Sequence, residues 1–386
     1  MDVEPVINAV GYATRVGGSR PSAAVLEAMA HANRFCFEID DLQAAASSLI
    51  ADLTGAEAGI ITCGAAAALT VGAAACLAGN DPQIMDELPD TSARHRREII
   101  YPRLGPYDYD HAVRLSGAKL VEVEYDAPEA LTLIARAISD RTSAVGYVWL
   151  RTGQKPTLPE VVALANRHGV PVLVDAALSL PPTDHLRQFI AEGADLVTFS
   201  GGKHLGGPQA SGLLMGKRDL IRSAWVQMVD MDVRPETWSL QAWIDEGWMT
   251  RAPRHGIGRS MKVGKEAILG LMAALREYPQ RDHAAERDAW ARRMRRVAEG
   301  LSDIAGLRRR FRDGAPNGQP FPCVELRGDA KRMQQLLCNL RAHPPRVVLA
   351  EDETDPGLAL IFPMCLTDDD AGVLIERFHT AAENLT

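Results

Sequence analysis

The sequence predicts an α/β fold: a mostly parallel, seven-stranded sheet with helices on both faces, followed by a smaller C-terminal α+β domain. Three observations lead there. Between Gly59 and Gly216, strand-like apolar runs alternate with helix-length periods, which is the pattern of successive βαβ units. Runs such as Val170-Pro-Val-Leu-Val174 are apolar without alternation, as a strand covered on both faces must be. After Gly216 the rhythm stops and the composition changes, so a second packing unit begins nearby.

In chain order, the strand-like runs are Gly59–Cys63, Glu98–Tyr101, Lys119–Glu124, Ala144–Trp149, Val170–Val174, Ala194–Phe199 and Gly212–Met215. Helical periods lie between several of them, at Ala65–Leu77, Tyr107–Ser116, Glu129–Ile138, Pro159–His168 and His185–Glu192. The segment Asn80–Arg97 breaks the alternation with Pro82, Pro89 and the cluster Arg94-His-Arg-Arg97. It reads as a solvated loop or as a lid over substrate. Beyond Gly216, Trp225, Trp238, Trp243 and Trp248 crowd a polar region, suited to core or dimer-interface packing or to a substrate cage. A helix around Glu266–Leu275, a charged helix near Pro279–Leu301, strands near Cys323–Leu326 and Leu358–Phe362, and a helix from Asp368 complete the chain. These readings divide it into an N-terminal segment, 1–45, packing on the small domain, a large domain, 46–265, and a small α+β domain, 266–386.

The bulk properties narrow the function classes. A formal charge of −8 argues against a broad nucleic-acid surface, which leaves a basic footprint. Six cysteines without CxxC spacing read as buried free thiols of a reducing compartment rather than disulfides or metal ligands. The start, Met-Asp-Val-Glu-Pro, lacks the basic-then-apolar pattern of a secretory signal. The longest apolar stretch, Gly59 to Gly79, is interrupted by Thr62 and Thr70 and reads as strand, turn and buried helix rather than a membrane span. A soluble cytoplasmic protein is expected.

Chemistry concentrates at the ends of three strands. Ile60-Ile-Thr-Cys-Gly-Ala-Ala-Ala-Ala68 is a strand, one glycine, then small residues opening a helix. Gly64, Ala65 and Ala66 there suit an anion at the positive helix end, or simply close helix–sheet packing. Asp175 ends the run at Val170 and is followed by Ala176 and Ala177, small enough to leave room for a flat ring. It also suits a helix cap or a magnesium ligand. Lys203 lies in the glycine-rich stretch after the next strand, three residues past Ser200, whose hydroxyl suits the same anion. An amine in such a loop can lose solvation, drop its pKa and attack a carbonyl; alone it suits a turn lysine equally well. Together, an anion cradle, an acid and an amine at the carboxyl edge of one sheet match what pyridoxal 5'-phosphate needs.

Ser200-Gly-Gly-Lys-His-Leu-Gly-Gly-Pro-Gln-Ala-Ser-Gly212 resembles the cofactor-lysine motif of the selenocysteine-synthase-like group in the fold type I (aspartate aminotransferase) superfamily, a group that includes D-glucosaminate-6-phosphate ammonia-lyase. Ile7-Asn-Ala-Val-Gly11, Tyr107-Asp-Tyr-Asp-His-Ala112, Ser116-Gly-Ala-Lys-Leu-Val-Glu122 and Gly258-Arg-Ser-Met-Lys-Val-Gly-Lys-Glu266 extend the similarity over most of the chain. The resemblance implies Lys203 as the Schiff-base lysine, Asp175 as the pyridinium partner, and Gly64, Ala65 and Ser200 as the phosphate cup. It also implies at least a homodimer. The chain begins directly at the Ile7-Asn-Ala segment, without the extra N-terminal tRNA-binding domain of bacterial selenocysteine synthase, so an aminoacyl-tRNA substrate is not expected. Tyr101-Pro-Arg-Leu-Gly-Pro-Tyr107 departs from the relatives, at a place where specificity would change.

Substrate contacts are candidates only by residue type. An amino-acid carboxylate calls for an arginine: Arg259, with Lys262 nearby, or Arg15 and Arg20 flanking Gly17-Gly-Ser19. Each suits an exposed surface position equally. Tyr107 suits ring stacking, an acid role or the core, and His204 suits a proton shuttle or a structural role. The expected reaction is α,β-elimination from a hydroxylated amino acid, with a sugar-derived one such as D-glucosaminate or its phosphate among the candidates, to a 2-keto acid and ammonia. Aldol cleavage, racemisation and β-replacement use the same groups, and a non-catalytic vitamer-binding protein is the third alternative.

Overall fold

The computed structural model describes residues 3–103, 105, 109–316 and 318–383. Its strands are β1 (Val6–Ala9), β2 (Ala58–Thr62), β3 (Glu98–Pro102), β4 (Lys119–Val123), β5 (Thr142–Val148), β6 (Val172–Asp175), β7 (Leu196–Ser200), β8 (Gly212–Gly216), β9 (Arg308–Arg312), β10 (Cys323–Arg327), β11 (Arg346–Glu351) and β12 (Leu358–Ile361). The α-helices are α1 (Ala23–Arg34), α2 (Ile39–Thr54), α3 (Ala65–Ala78), α4 (Pro82–Glu87), α5 (Asp110–Arg114), α6 (Ala130–Ala137), α7 (Leu158–Arg167), α8 (His185–Ala191), α9 (Arg218–Val226), α10 (Ala242–Asp245), α11 (Lys265–Glu277), α12 (His283–Gly300), α13 (Ala330–Ala342) and α14 (Asp368–Glu383).

Two compact units form, residues 21–279 and residues 1–20 with 280–386. In the larger, the described strands run β2-β8-β7-β6-β5-β3-β4, and β8 alone is antiparallel to its neighbours. This is the mostly parallel seven-stranded sheet expected from the βαβ rhythm. Its strands alternate between two cores. Leu173, Leu196 and Leu214 enter the core on the α3 and α9 face, while Val172, Val174, Val197, Leu213 and Met215 enter the opposite one. Apolar residues at every position are therefore required. Helix α3 is alanine-rich and buried around most of its circumference, which lets it lie close on the sheet.

The free edge of β2 is closed by a side chain. Gln43 of α2 donates from Nε2 to the Ile61 carbonyl at 2.7 Å and accepts from the Ile61 N–H at 2.9 Å. Its amide thus takes the place of a missing strand and satisfies two backbone groups that burial would otherwise leave unpaired.

The smaller unit has the order β1-β11-β12-β10-β9, with β1 parallel to β11 and α12, α13 and α14 covering one core. Its boundaries differ from the expected ones. Residues 21–45 and 266–279 belong to the larger unit, because α1 packs along α11 and Ser22 donates to Glu277 at 2.6 Å. Only the first twenty residues join the smaller unit, through β1.

Segment 80–97 is more ordered than a solvated loop. Asp81 caps α4, Arg94 pairs with Glu87, and Arg96 donates to the Thr142 carbonyl at 3.0 Å. All six cysteines are free, but Cys36 and Cys338 are exposed rather than buried. The tryptophans act mainly as packing. Trp225 and Trp238 are buried, Trp243 packs edge-on between Trp225 and Trp248, and the Arg222 guanidinium lies 5.2 Å from the Trp243 ring. Among the described residues no helix is long and apolar enough to cross a membrane.

Candidate active site

The carboxyl ends of β2, β7 and β6 point to one edge of the larger sheet, because β8 runs antiparallel to both β2 and β7. The register aligns Thr62 with Gly212 and Gly212 with Ser200 across three strands. Gly64 then turns the chain from β2 into α3 at φ +135°, a conformation that favours glycine. The Thr62 hydroxyl braces this turn by donating to the Gly64 carbonyl at 2.9 Å.

Among the described residues no side chain caps α3 and no acid lies in its first turn. The first N–H groups therefore have no intrahelical acceptor and form a positive end suited to an anion. Gly212 is required beside it. A Cβ there would fall 2.5 Å from the Gly64 carbonyl carbon and 2.6 Å from the Ala65 nitrogen. Gly64 and Ala65 are half-buried and Ala66 is exposed, so this helix end opens outward, with Ser200 across Gly212 from it.

Asp175 ends β6 and is buried. Its Oδ1 accepts the Ala177 N–H at 3.0 Å, while Trp149 donates its N–H to the Asp175 carbonyl at 2.9 Å. Burial pushes the carboxyl upward, opposed by the Ala177 hydrogen bond and by the charge of Lys203. Lys203 is shifted the other way: lost solvation lowers its ammonium pKa, with Asp175 opposing. The lysine loop is held by backbone bonds, Gly201 N–H to Ser211 O at 2.8 Å, Gly207 N–H to Gly201 O at 2.9 Å and Gly206 N–H to Lys203 O at 3.0 Å. β7 pairs with β6 in parallel, so the loop that carries Lys203 starts one strand away from Asp175, and the two charges act on each other.

These groups fit pyridoxal 5'-phosphate. The cradle that a Gly212 Cβ would fill and the uncapped end of α3 suit the phosphate. The desolvated Lys203 amine suits the aldehyde carbon, and the buried Asp175 carboxylate gains a cationic partner in a protonated pyridine nitrogen.

The other predicted residues have partners of their own or fall outside the described residues. His204 is buried with its ring edge-on to Tyr278, 5.5 Å between centroids, a structural setting. Tyr107 lies outside the described residues. In the smaller unit, Arg15 donates to the Leu349 carbonyl at 3.3 Å and Arg20 pairs with Asp370 at 3.0 Å. In the larger unit, Arg259 pairs with Asp230 at 2.6 Å, and Lys262 is exposed. Both line a cavity of about 750 Å³ with Trp225 and Trp238; none of Gly64, Ala65, Asp175, Ser200 and Lys203 lines it. Gln43 and Gln154, which no motif marks, both hold strand ends at this edge. Buried or half-buried glutamines carry no local pattern that separates them from surface ones.

Comparison with known proteins agrees with this reading. The profile of the family described as SelA, L-seryl-tRNA selenium transferase, matches residues 18–234, more than half of the chain. A 5'-C-glycyluridine monooxygenase-decarboxylase of Streptomyces sp. is 33% identical, the match covering 98% of this chain and 90% of the relative. The D-glucosaminate-6-phosphate ammonia lyase of Salmonella typhimurium is 27% identical over 100% of this chain and 97% of its own length. A solved structure of D-glucosaminate-6-phosphate ammonia-lyase superposes with a TM-score of 0.80 at 26% identity, covering 99% of this chain and 97% of that one. The strand-end lysine and aspartate, the uncapped helix and these similarities lead to one assignment: the chain belongs to the SelA family of fold type I, pyridoxal-phosphate-dependent enzymes.

Proposed function

We propose that this enzyme is a carbon–nitrogen lyase that eliminates the β-hydroxyl and the amine of a hydroxylated, sugar-derived amino acid, yielding a 2-keto acid and ammonia. The observation that carries the reading is the pair formed by buried Asp175 and half-buried Lys203, at the ends of neighbouring strands and shifted in opposite directions. The similarity over the full chain to an ammonia lyase acting on D-glucosaminate 6-phosphate supports it.

When bound, pyridoxal phosphate supplies a sink for the electron pair left as Cα loses its proton. The chain's own residues do the rest. The N–H groups opening α3 and the Ser200 hydroxyl would hold the phosphate. Asp175 keeps the proton on the ring nitrogen, and its burial strengthens that hold. Lys203, whose ammonium pKa is lowered by lost solvation, is the base that accepts the Cα proton at Nζ. The β-hydroxyl then takes up the proton held at Lys203 Nζ and leaves as water, and hydrolysis of the remaining carbon–nitrogen bond releases ammonia.

Borohydride treatment of the yellow holoenzyme should fix the cofactor to Lys203, and Lys203→Ala should abolish that. Incubation with D-glucosaminate, its 6-phosphate, and D- and L-serine should release keto acid and ammonia in equal amounts. Equal reactivity of amino acids lacking the hydroxyl would sink the elimination.

The 33% identity to a monooxygenase-decarboxylase favours a second reading, oxidative loss of the carboxylate. Oxygen uptake and carbon dioxide release, measured in the same incubations, separate the two. We also infer at least a homodimer in a reducing, cytoplasmic setting. The exposed thiols of Cys36 and Cys338 suit that compartment. Ile39 and Val233, 41% and 48% exposed, line the cavity that holds Arg259 and Lys262, and a second copy would cover this face. Sedimentation of the holoenzyme as a monomer would refute it.

A further inference from the structure

The elimination reading leaves one requirement unmet: a cation for the oxyanion of an amino acid. The arginines first suspected are engaged elsewhere, with Asp230, Asp370 and the Leu349 carbonyl. The loops at the carboxyl edge of the larger sheet offer another. After β3, Arg103 is committed to Glu122 and Glu124. After β5, Lys155 is paired with Glu160 at 3.3 Å. Arg151 remains. It is exposed, and among the described residues its guanidinium makes no hydrogen bond or ion pair. In the loops after β2, β5, β6 and β7 it is the sole described arginine.

Its place is well defined. Val148 pairs with Asp175 in register, and the Trp149 N–H bonds to the Asp175 carbonyl, so the β5 loop starts beside the acid of the site. Gln154 clamps that loop from within. Its Oε1 accepts the N–H groups of Leu150 at 2.7 Å and Arg151 at 3.2 Å, and its Nε2 donates to the Val148 carbonyl at 3.0 Å. A clamped backbone beneath four exposed residues, 150–153, holds the root of Arg151 still while its head stays in solvent. Surface arginines commonly fold down onto a neighbouring carboxylate; here none is engaged, and the strand next door ends in the buried Asp175.

We propose that Arg151 binds an oxyanion of the substrate, a carboxylate or a phosphate, through the planar fork suited to both, and so sets specificity for anionic amino acids. This rests on the elimination reading only for the choice of substrates, because binding is read separately from turnover. Wild-type, R151Q and R151K holoenzymes would be titrated by absorbance with D-serine, D-glucosaminate and D-glucosaminate 6-phosphate, and keto acid and ammonia assayed in the same samples.

For R151Q, Kd should rise about 10- to 100-fold, as loss of a charge-assisted contact implies, with kcat changed far less. R151K should recover part of the affinity. A rise for all three ligands identifies the α-carboxylate as the bound group, and a rise confined to the 6-phosphate identifies the distal phosphate. A Kd within twofold of wild type for every ligand overturns the assignment of Arg151. If Kd responds but wild type releases no keto acid, the elimination fails and Arg151 stands. If wild type shows no spectral response to any of the three, both fail. Because Arg151 is exposed and its side chain has no partner among the described residues, R151Q should retain the wild-type cofactor spectrum and melting temperature, which separates binding from misfolding.

Discussion

Gly212→Ala tests how the phosphate cradle is built. The added Cβ would sit 2.5 Å from the Gly64 carbonyl carbon and 2.6 Å from the Ala65 nitrogen. Both are backbone atoms, so no flexible side chain can swing away. Opening that approach to ordinary contact near 3.4 Å demands a shift of roughly 0.9 Å between β8 and the turn into α3. Such a shift lengthens a hydrogen bond of about 2.9 Å beyond useful range. Losing one charge-assisted bond to phosphate costs about 1.5–3 kcal/mol, which is roughly 10- to 100-fold in affinity. Strain in the packed edge should take a further 1–3 kcal/mol or so from stability.

The assay is equilibrium binding of pyridoxal 5'-phosphate and of pyridoxal to apoprotein, followed by absorbance, with urea melts alongside. The phosphorylated form should lose about 10- to 100-fold and pyridoxal much less, because only the phosphate meets the displaced turn. A variant that binds the phosphorylated cofactor like wild type would refute the cradle. Equal losses for both forms would instead move the defect to the ring site.

Three further outcomes follow from particular contacts. The neutral Lys203 amine is the nucleophile, so the rate of cofactor attachment to apoprotein should rise with pH, with a midpoint below the ordinary lysine value of 10.5 because burial lowers its pKa. The Asp175 charge opposes that lowering. Asp175→Asn should therefore move the midpoint further down, and stopped-flow rates with an unchanged or higher midpoint would contradict the coupling. Gln43→Leu leaves both the Ile61 N–H and its carbonyl unpaired at a buried edge and should cost about 2–4 kcal/mol, read from the urea midpoint. Tyr125→Phe removes the hydroxyl that donates to the Gly146 carbonyl at 2.7 Å in the core. It should cost about 1 kcal/mol in the same melts and leave cofactor binding unchanged.

The βαβ rhythm, the strands leading into Gly64, Asp175 and Lys203, and the cofactor these residues suit are all legible in the order of the residues. Each strand end is written locally: an apolar stretch buried on both faces, then a small or charged residue where or soon after the strand stops. Tertiary structure decided what depends on distant partners. β1 pairs with β11 some 340 residues away, and α1 and α11 lie in the larger unit because they pack on each other. Neither pairing has a local signature.

The substrate side divides in the same way. Arg259, Arg20 and Arg15 had suitable side chains and suitable neighbours in sequence, yet the fold commits each to another group. Arg151, which no motif marks, is left without a partner among the described residues, at the edge where the acid and the amine meet. An arginine's chemistry is written in its side chain, but whether that charge is available is set by what the fold places within reach of it.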